Sequence, residues 1–198
     1  MNKLLLRSLV LIAAVTFFIT PEAALAKESG TPTKYVIKLK TLMLLNGDGE
    51  WITVYSGTSP GLDIASVSRG SNQFVGEFLS GLEVPDGTYT QAKVQPDTTF
   101  ILKGTVDGRG TNGGTDFGSS EWGCTSTAGI TPVDCTLTVV NPIPIQGPYS
   151  FDPVVVKDGV ADHKIRVYFN IADAVTDNED TGFIYPETPV CTVAAIDK

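Results

Sequence analysis

The chain has 198 residues and a formal net charge of −8, with 22 acidic against 14 basic side chains and no basic stripe. That balance excludes a phosphate backbone as a natural partner, because nucleic-acid binding needs clustered Lys and Arg. The length suits one domain able to bury a core without relying on disulfides.

The first residues bear on the compartment. Lys3 and Arg7 precede a short apolar run, "SLVLIAAVTFFIT", broken by Pro21, and Ala24-Leu25-Ala26 puts small residues at the −3 and −1 positions. This is the layout of a secretory signal peptide, residues 1–26. The run is short for a bilayer span, which takes about 20 residues; an uncleaved N-terminal anchor is the alternative. No Cys follows the run to carry a lipid, and no second long apolar segment exists. The mature chain, residues 27–198, is expected to be periplasmic, secreted or at the cell surface, without a membrane span. Loss of Lys3, Arg7 and Glu22 leaves it one unit more acidic than the whole.

From there the periodicity is that of strands. "KYVIKLK" sets Tyr35, Ile37 and Leu39 against Val36, Lys38 and Lys40, and the pattern then breaks at "TLMLLN", as at a bulge or a doubly covered stretch. "NGDGEW" turns the chain into "WITVYS", a hairpin signal. Further strands are expected at Ile64–Ser68, Gln73–Ser80, Thr88–Gln95, Thr99–Val106, Cys135–Val140, Tyr149–Lys157 and Lys164–Ala172, with a short one near Val190. In "VPDGTYTQAKV", Pro85 suits the first corner of a turn and Gly87 tolerates positive φ, delivering the chain into a strand. Ile165, Val167, Phe169 and Ile171 are expected on a buried face, opposite Lys164, Arg166, Tyr168 and Asn170. "IADAVTDNED" reads as one helical turn or simply the end of that strand.

One segment differs. Residues 104–134 contain "GTVDGRGTNGGTDFGSSEWGC" and read as a Gly-rich insertion, a long irregular surface connection. Substitutions in it, such as Thr111→Ala, are expected to stay within about 0.5 kcal/mol. In an oxidising compartment three cysteines suggest one bridge and one free thiol. The close pair Cys124 and Cys135 is the choice, with Cys191 left over. Zinc is disfavoured, since His163 is the sole histidine and the cysteine spacing fits no zinc pattern.

Candidate sites were weighed against plainer readings. "GTSPG" matches the nucleophile-elbow pattern literally, but the residue after Ser59 is Pro60, which has no N–H for an oxyanion. "GRGTNGG" lacks the Lys-Ser/Thr of a phosphate loop. Calcium has two acidic segments to choose from: Asp107, Asn112, Asp116 and Glu121 in one, Asp173, Asp177, Glu179 and Asp180 in the other. Neither has EF-hand spacing, and solvated acidic loops are the plainer reading. Trp51, Tyr55, Tyr89 and Tyr168 fall on the less apolar faces of their strands, where a second sheet would make them core. Trp122, in the Gly-rich segment, is left as a candidate for stacking a ligand.

The "VPDGTYT" turn also resembles that of prealbumin-like and Cna-B-like β-sandwich domains. Together with "YVIKLKTLMLLNGDGEWITVYSG" and "HKIRVYFNIADAV" it is similar to uncharacterised secreted prokaryotic β-sandwich domains of that type, over about residues 34–175. The resemblance implies an antiparallel sandwich and carries no catalytic residue. It also raises an internal Lys–Asn bond, with Lys38 or Lys40 and Asn170 as candidates, although their alternation places them away from the core.

These readings combine into an expectation. The chain is an all-β protein, an antiparallel β-sandwich (prealbumin-like or immunoglobulin-like) of about 7–9 strands in a single domain, exported and without enzymatic activity. It needs no cofactor, calcium apart. It serves as a structural or adhesive module of the cell envelope or a surface assembly, with other envelope proteins or glycans as partners and no nucleic acid. A periplasmic or extracellular glycan- or calcium-binding module is the alternative. Assembly calls for an unpaired sheet edge or an exposed apolar patch, and binding for a concave pocket of converging polar groups.

Overall fold

The computed structural model describes residues 28–66, 82–114, 123–139, 141–178 and 182–198. The signal-peptide reading, the strand expected at Gln73–Ser80 and the last residues of Ile64–Ser68 lie outside them. Among the described residues there is no helix. The strands in chain order are β1 (Ser29–Gly30), β2 (Lys34–Ile37), β3 (Leu39–Asn46), β4 (Trp51–Ser56), β5 (Leu62–Asp63), β6 (Gly87–Pro96), β7 (Thr99–Lys103), β8 (Thr105–Val106) and β9 (Arg109–Gly114). They continue with β10 (Cys124–Ala128), β11 (Cys135–Thr138), β12 (Gln146–Lys157), β13 (Val160–Ala161), β14 (Lys164–Asn170), β15 (Val175–Asn178), β16 (Phe183–Pro186) and β17 (Val190–Ile196).

The all-β antiparallel class therefore holds, but 17 described strands replace the expected 7–9, in sheets of six, four, five and two strands. The surplus comes from short pieces and from breaks where one sequence run feeds two sheets. Tyr35 and Ile37 of β2 are buried in the four-stranded sheet, ordered β11-β7-β2-β5. Past Lys38, β3 joins the five-stranded sheet, ordered β13-β12-β6-β3-β4. Thr99–Val106 divides in the same way at Gly104, with β7 in the four-stranded sheet and β8 in the six-stranded one. The break expected in "TLMLLN" exists as register shifts of β3 against both neighbours. The hairpin at "NGDGEW" forms as read, with Asn46 Oδ1 accepting from the N–H groups of Asp48 and Glu50.

The six-stranded sheet, ordered β1-β15-β16-β10-β9-β8, curls until its outer strands meet. Gly30 of β1 lies so close to β8 that a Cβ there would sit 2.7 Å from the Thr105 carbonyl oxygen. Three of these strands, β8 to β10, come from the Gly-rich insertion, which is a structural correction: most of its described residues are sheet, not an irregular surface connection. Glycine lets it lie in a crowded place. A Cβ at Gly110 would meet the Ile130 carbonyl at 2.9 Å. β15 is a second correction, since "VTDN" continues as a strand after a turn at Ala172–Asp173.

Two cores result. The larger gathers Tyr35, Ile37, Leu102, Val106, Leu137, Val175 and Ile184 from the six- and four-stranded sheets. Cys124 of β10 and Cys135 of β11 form the expected disulfide inside it, Cα atoms 5.9 Å apart, and join the two sheets covalently. The smaller core holds Leu44, Tyr89, Ala92 and Val156 within the five-stranded sheet. Tyr89 and Ala92 are three residues apart yet both buried, because register shifts in the β6 pairings reset the alternation between them. Tyr89 is core rather than an exposed platform.

Gly87 has the positive φ expected of it, 159°, at the edge of the range that favours glycine. The Tyr89 hydroxyl adds a bond that the sequence did not announce, donating back to the Pro85 carbonyl at 2.8 Å. The Asp86 carboxylate accepts from the N–H groups of Asp158 and Gly159, tying the start of β6 to the β12–β13 turn.

Candidate functional site

The feature that sets this surface apart is the two-stranded sheet of β14 and β17. Its ladder runs without a bulge through seven pairs, from Lys164↔Ile196 to Asn170↔Val190. β17 runs alongside β12 without joining its sheet. β12 carries Pro148 and Pro153, which have no N–H to donate. At one end the ribbon is held down, with Phe169 and Ile171 packed against the larger core. Cys191, opposite Phe169, is half-buried and unbridged, and burial pushes its thiol up to about 11, so it stays protonated at neutral pH.

Elsewhere the ribbon stands open, including at Val190 beside the held-down end. Ile165 and Val167 are each 37% exposed, Tyr168 36% and Val190 65%. This corrects the sequence reading, in which Ile165 and Val167 lay on a buried face. Alternation marks a half-apolar strand, but it cannot say whether another layer covers the apolar half. The signal that was available lies in "VCTVAAI", read only as a short strand, whose apolar run supplies the matching half of the ribbon. The ribbon begins at His163, whose Nδ1 lies 3.0 Å from Asp162 and whose Nε2 lies 3.6 Å from Asp197. Asp162 also accepts from the Val155 N–H at 2.8 Å. The His163 contact and then that N–H hold its carboxyl below the usual range.

The candidate calcium residues that are described, Asp107, Asn112, Asp173 and Asp177, form no metal-binding group among themselves. Asp107 is exposed at the β8–β9 turn with φ 44°. Asp173 is exposed and accepts from Ser29 Oγ at 3.0 Å. Asp177 is buried and faces Arg109, whose Nε lies 3.2 Å from its Oδ2. Arg109 also reaches Ser126, with Nε 3.0 Å from Oγ and Nη2 3.2 Å from the carbonyl, and Ser126 Oγ donates to the Gly182 carbonyl. Here a carboxylate read as a ligand pairs with a cation inside the curled sheet. Asp116, Glu121, Glu179, Asp180 and the candidate stacking residue Trp122 lie outside the described residues. Among those described, no group of three or more His, Cys, Asp or Glu side chains is placed to hold a metal.

The remaining motifs resolve into structure. Ser59 is buried, accepting from the Leu39 N–H and donating to the Pro60 carbonyl. Asn112 donates to Thr127 Oγ1 on the neighbouring strand. Trp51 is covered by Lys93, whose Nζ lies 4.0 Å from the ring centroid. Lys40 and Asn170 are exposed and Lys38 half-buried, unlike the buried setting an internal Lys–Asn bond requires. No helix among the described residues is long and apolar enough to cross a membrane. Comparison of the chain with family models, curated proteins and solved structures gives no match.

Proposed function

We propose that this protein is an exported, non-enzymatic structural or adhesive module of the cell envelope or a surface assembly, acting through the β14–β17 ribbon. The observation that carries this reading is the exposed apolar surface of the ribbon. Ile165, Val167, Tyr168 and Val190 present apolar and aromatic surface on an isolated two-stranded sheet. A two-stranded ribbon is marginal alone, and exposed apolar surface on a strand marks an interaction site or a liability. Export is supported by the leader-like residues 1–26 and by the buried Cys124–Cys135 bridge, which suits an oxidising compartment. The sandwich kinship of prealbumin-like or Cna-B-like type belongs to the same proposal, on the strength of the "PDGTYT" turn, with the curled six-stranded sheet as an elaboration of it.

The test is envelope fractionation of cells expressing the full chain, followed by cross-linking. Wild type is expected in high-mass species of the envelope or surface fraction. Val167→Lys and Val190→Lys are expected to leave them while keeping the wild-type urea midpoint. A wild-type chain that stays cytoplasmic or uncross-linked, or variants that assemble equally well, would overturn the reading.

A further inference from the structure

We propose that the outer edge of β14 is an acceptor site for an extended acidic polypeptide segment, which adds to the ribbon as its third strand. This rests on the assembly reading and names the chemistry of the partner. Among the described residues β14 pairs only with β17. Lys164–Asn170 contains neither Pro nor Gly, and its register with β17 is unbroken. Among the described residues no second strand pairs with the other edge of residues 164–168, which leaves its backbone N–H and C=O groups at every second residue as the template used in strand addition.

Charge selects the occupant. Lys164 and Arg166 lie on one face of β14, opposite Ile196 and Ala194, which are uncharged. Neither cation makes an ion pair with a described residue. This is a local basic edge on a chain of net charge −8. Ile165 and Val167 occupy the opposite face and are partly exposed. A strand alternating acidic with apolar residues matches both faces at once, acids beside Lys164 and Arg166, apolar side chains beside Ile165 and Val167. Other described edges compete less well: β17 runs alongside β12, and β4, "WITVYS", carries no charge, has a shifted register with β3, and has its Trp51 capped by Lys93.

The experiment uses the purified full chain and two fluorescent seven-residue peptides, one alternating Glu with Val and the other Lys with Val. The Glu–Val peptide is expected to bind about tenfold or more tightly than the Lys–Val peptide, and to weaken as salt rises from about 50 to about 500 mM. Hydrogen exchange of the amides in Lys164–Asn170 is expected to slow on binding. The double variant Lys164→Glu/Arg166→Glu, checked for unchanged circular dichroism, is expected to reverse the peptide preference. Equal binding of both peptides, a preference the double variant keeps, or no slowing in β14 would overturn the proposal. Absence of binding would also overturn it, leaving Lys164 and Arg166 as guards of a closed edge. If Val167→Lys disrupts envelope assembly while the double variant does not, the acidic-strand inference fails and the assembly reading stands. If the peptides behave as expected while wild type never assembles, the assembly reading fails instead.

Discussion

Thr111 sits in the most glycine-rich part of the chain and is fully buried. Its hydroxyl donates to the Val133 carbonyl at 2.7 Å and accepts from the Gly104 N–H at 3.3 Å. Its own backbone returns both contacts, donating to the Gly104 carbonyl and accepting from the Val133 N–H. Removing the hydroxyl strands the buried Gly104 N–H and takes a partner from the part-buried Val133 carbonyl, so Thr111→Ala is expected to cost about 1–3 kcal/mol in urea unfolding, with Thr111→Ser retaining more of the stability. A Thr111→Ala midpoint indistinguishable from wild type would return this segment to the surface. The sequence reading expected a nearly neutral change there. It failed because a strand of "RGTNGG" is half glycine and has no apolar side chain with which to display alternation. Its pairing is supplied by β8 and β10, and nothing local announces them. The ion pair of Asp177 is hidden in the sequence for a related reason. Its partner Arg109 is distant in sequence, so an acidic residue in "TDNED" looked like a solvated or metal-binding one.

At the scale of elements, the β12–β13 hairpin hangs on two carboxylates. Asp86 accepts from the Gly159 and Asp158 N–H groups, which hold its carboxyl below the ordinary range. Asp162, lowered by His163 and by the Val155 N–H, grips the same hairpin from its other side. For carboxyls depressed in the folded state, the stabilisation is present above their unfolded values, near about 4, and is lost as pH falls through the folded ones. The hairpin is therefore expected to loosen in acid, with amide exchange at Lys157–Ala161 rising as pH drops below about 4 after correction for intrinsic rates. Asp86→Asn is expected to flatten that dependence. An unchanged acid profile in the variant would remove Asp86 from this role. Strands with regular alternation and clear turns, such as β2, β4 and β6, were legible in the sequence. The open face of β14 was not, because coverage depends on which sheet arrives above a strand.

For the whole molecule the disulfide is the decisive link. Cys124 and Cys135 are eleven residues apart in sequence but belong to different sheets, and both are fully buried in the larger core. The bridge limits how far the curled sheet and the four-stranded sheet can separate in the unfolded chain. Its loss in Cys124→Ala/Cys135→Ala is expected to cost about 2–4 kcal/mol. Reduced wild type should unfold at a similarly lowered urea concentration, and peptide mapping without reductant should recover the linked pair and leave Cys191 alkylatable after denaturation. Identical midpoints with and without reductant would show that the bridge contributes nothing to stability.

The curl of the six-stranded sheet also sets an order of events in time. Ser29 of β1 pairs with Thr176 of β15, and Cys124 of β10 pairs with Ile184 of β16. A ribosome must therefore deliver the chain through Pro186 before this sheet can close, and ladders joining such remote segments form slowly. During that interval β10 has its neighbour β9 on one side and a bare edge on the other. This part of the nascent chain therefore stays unpaired while it is being made, and the largest described sheet is completed only once Phe183–Pro186 has emerged. The same delay means that a chain cut short before Phe183 cannot satisfy that edge at all. Such a fragment is destined for aggregation or proteolysis rather than for a smaller version of the fold.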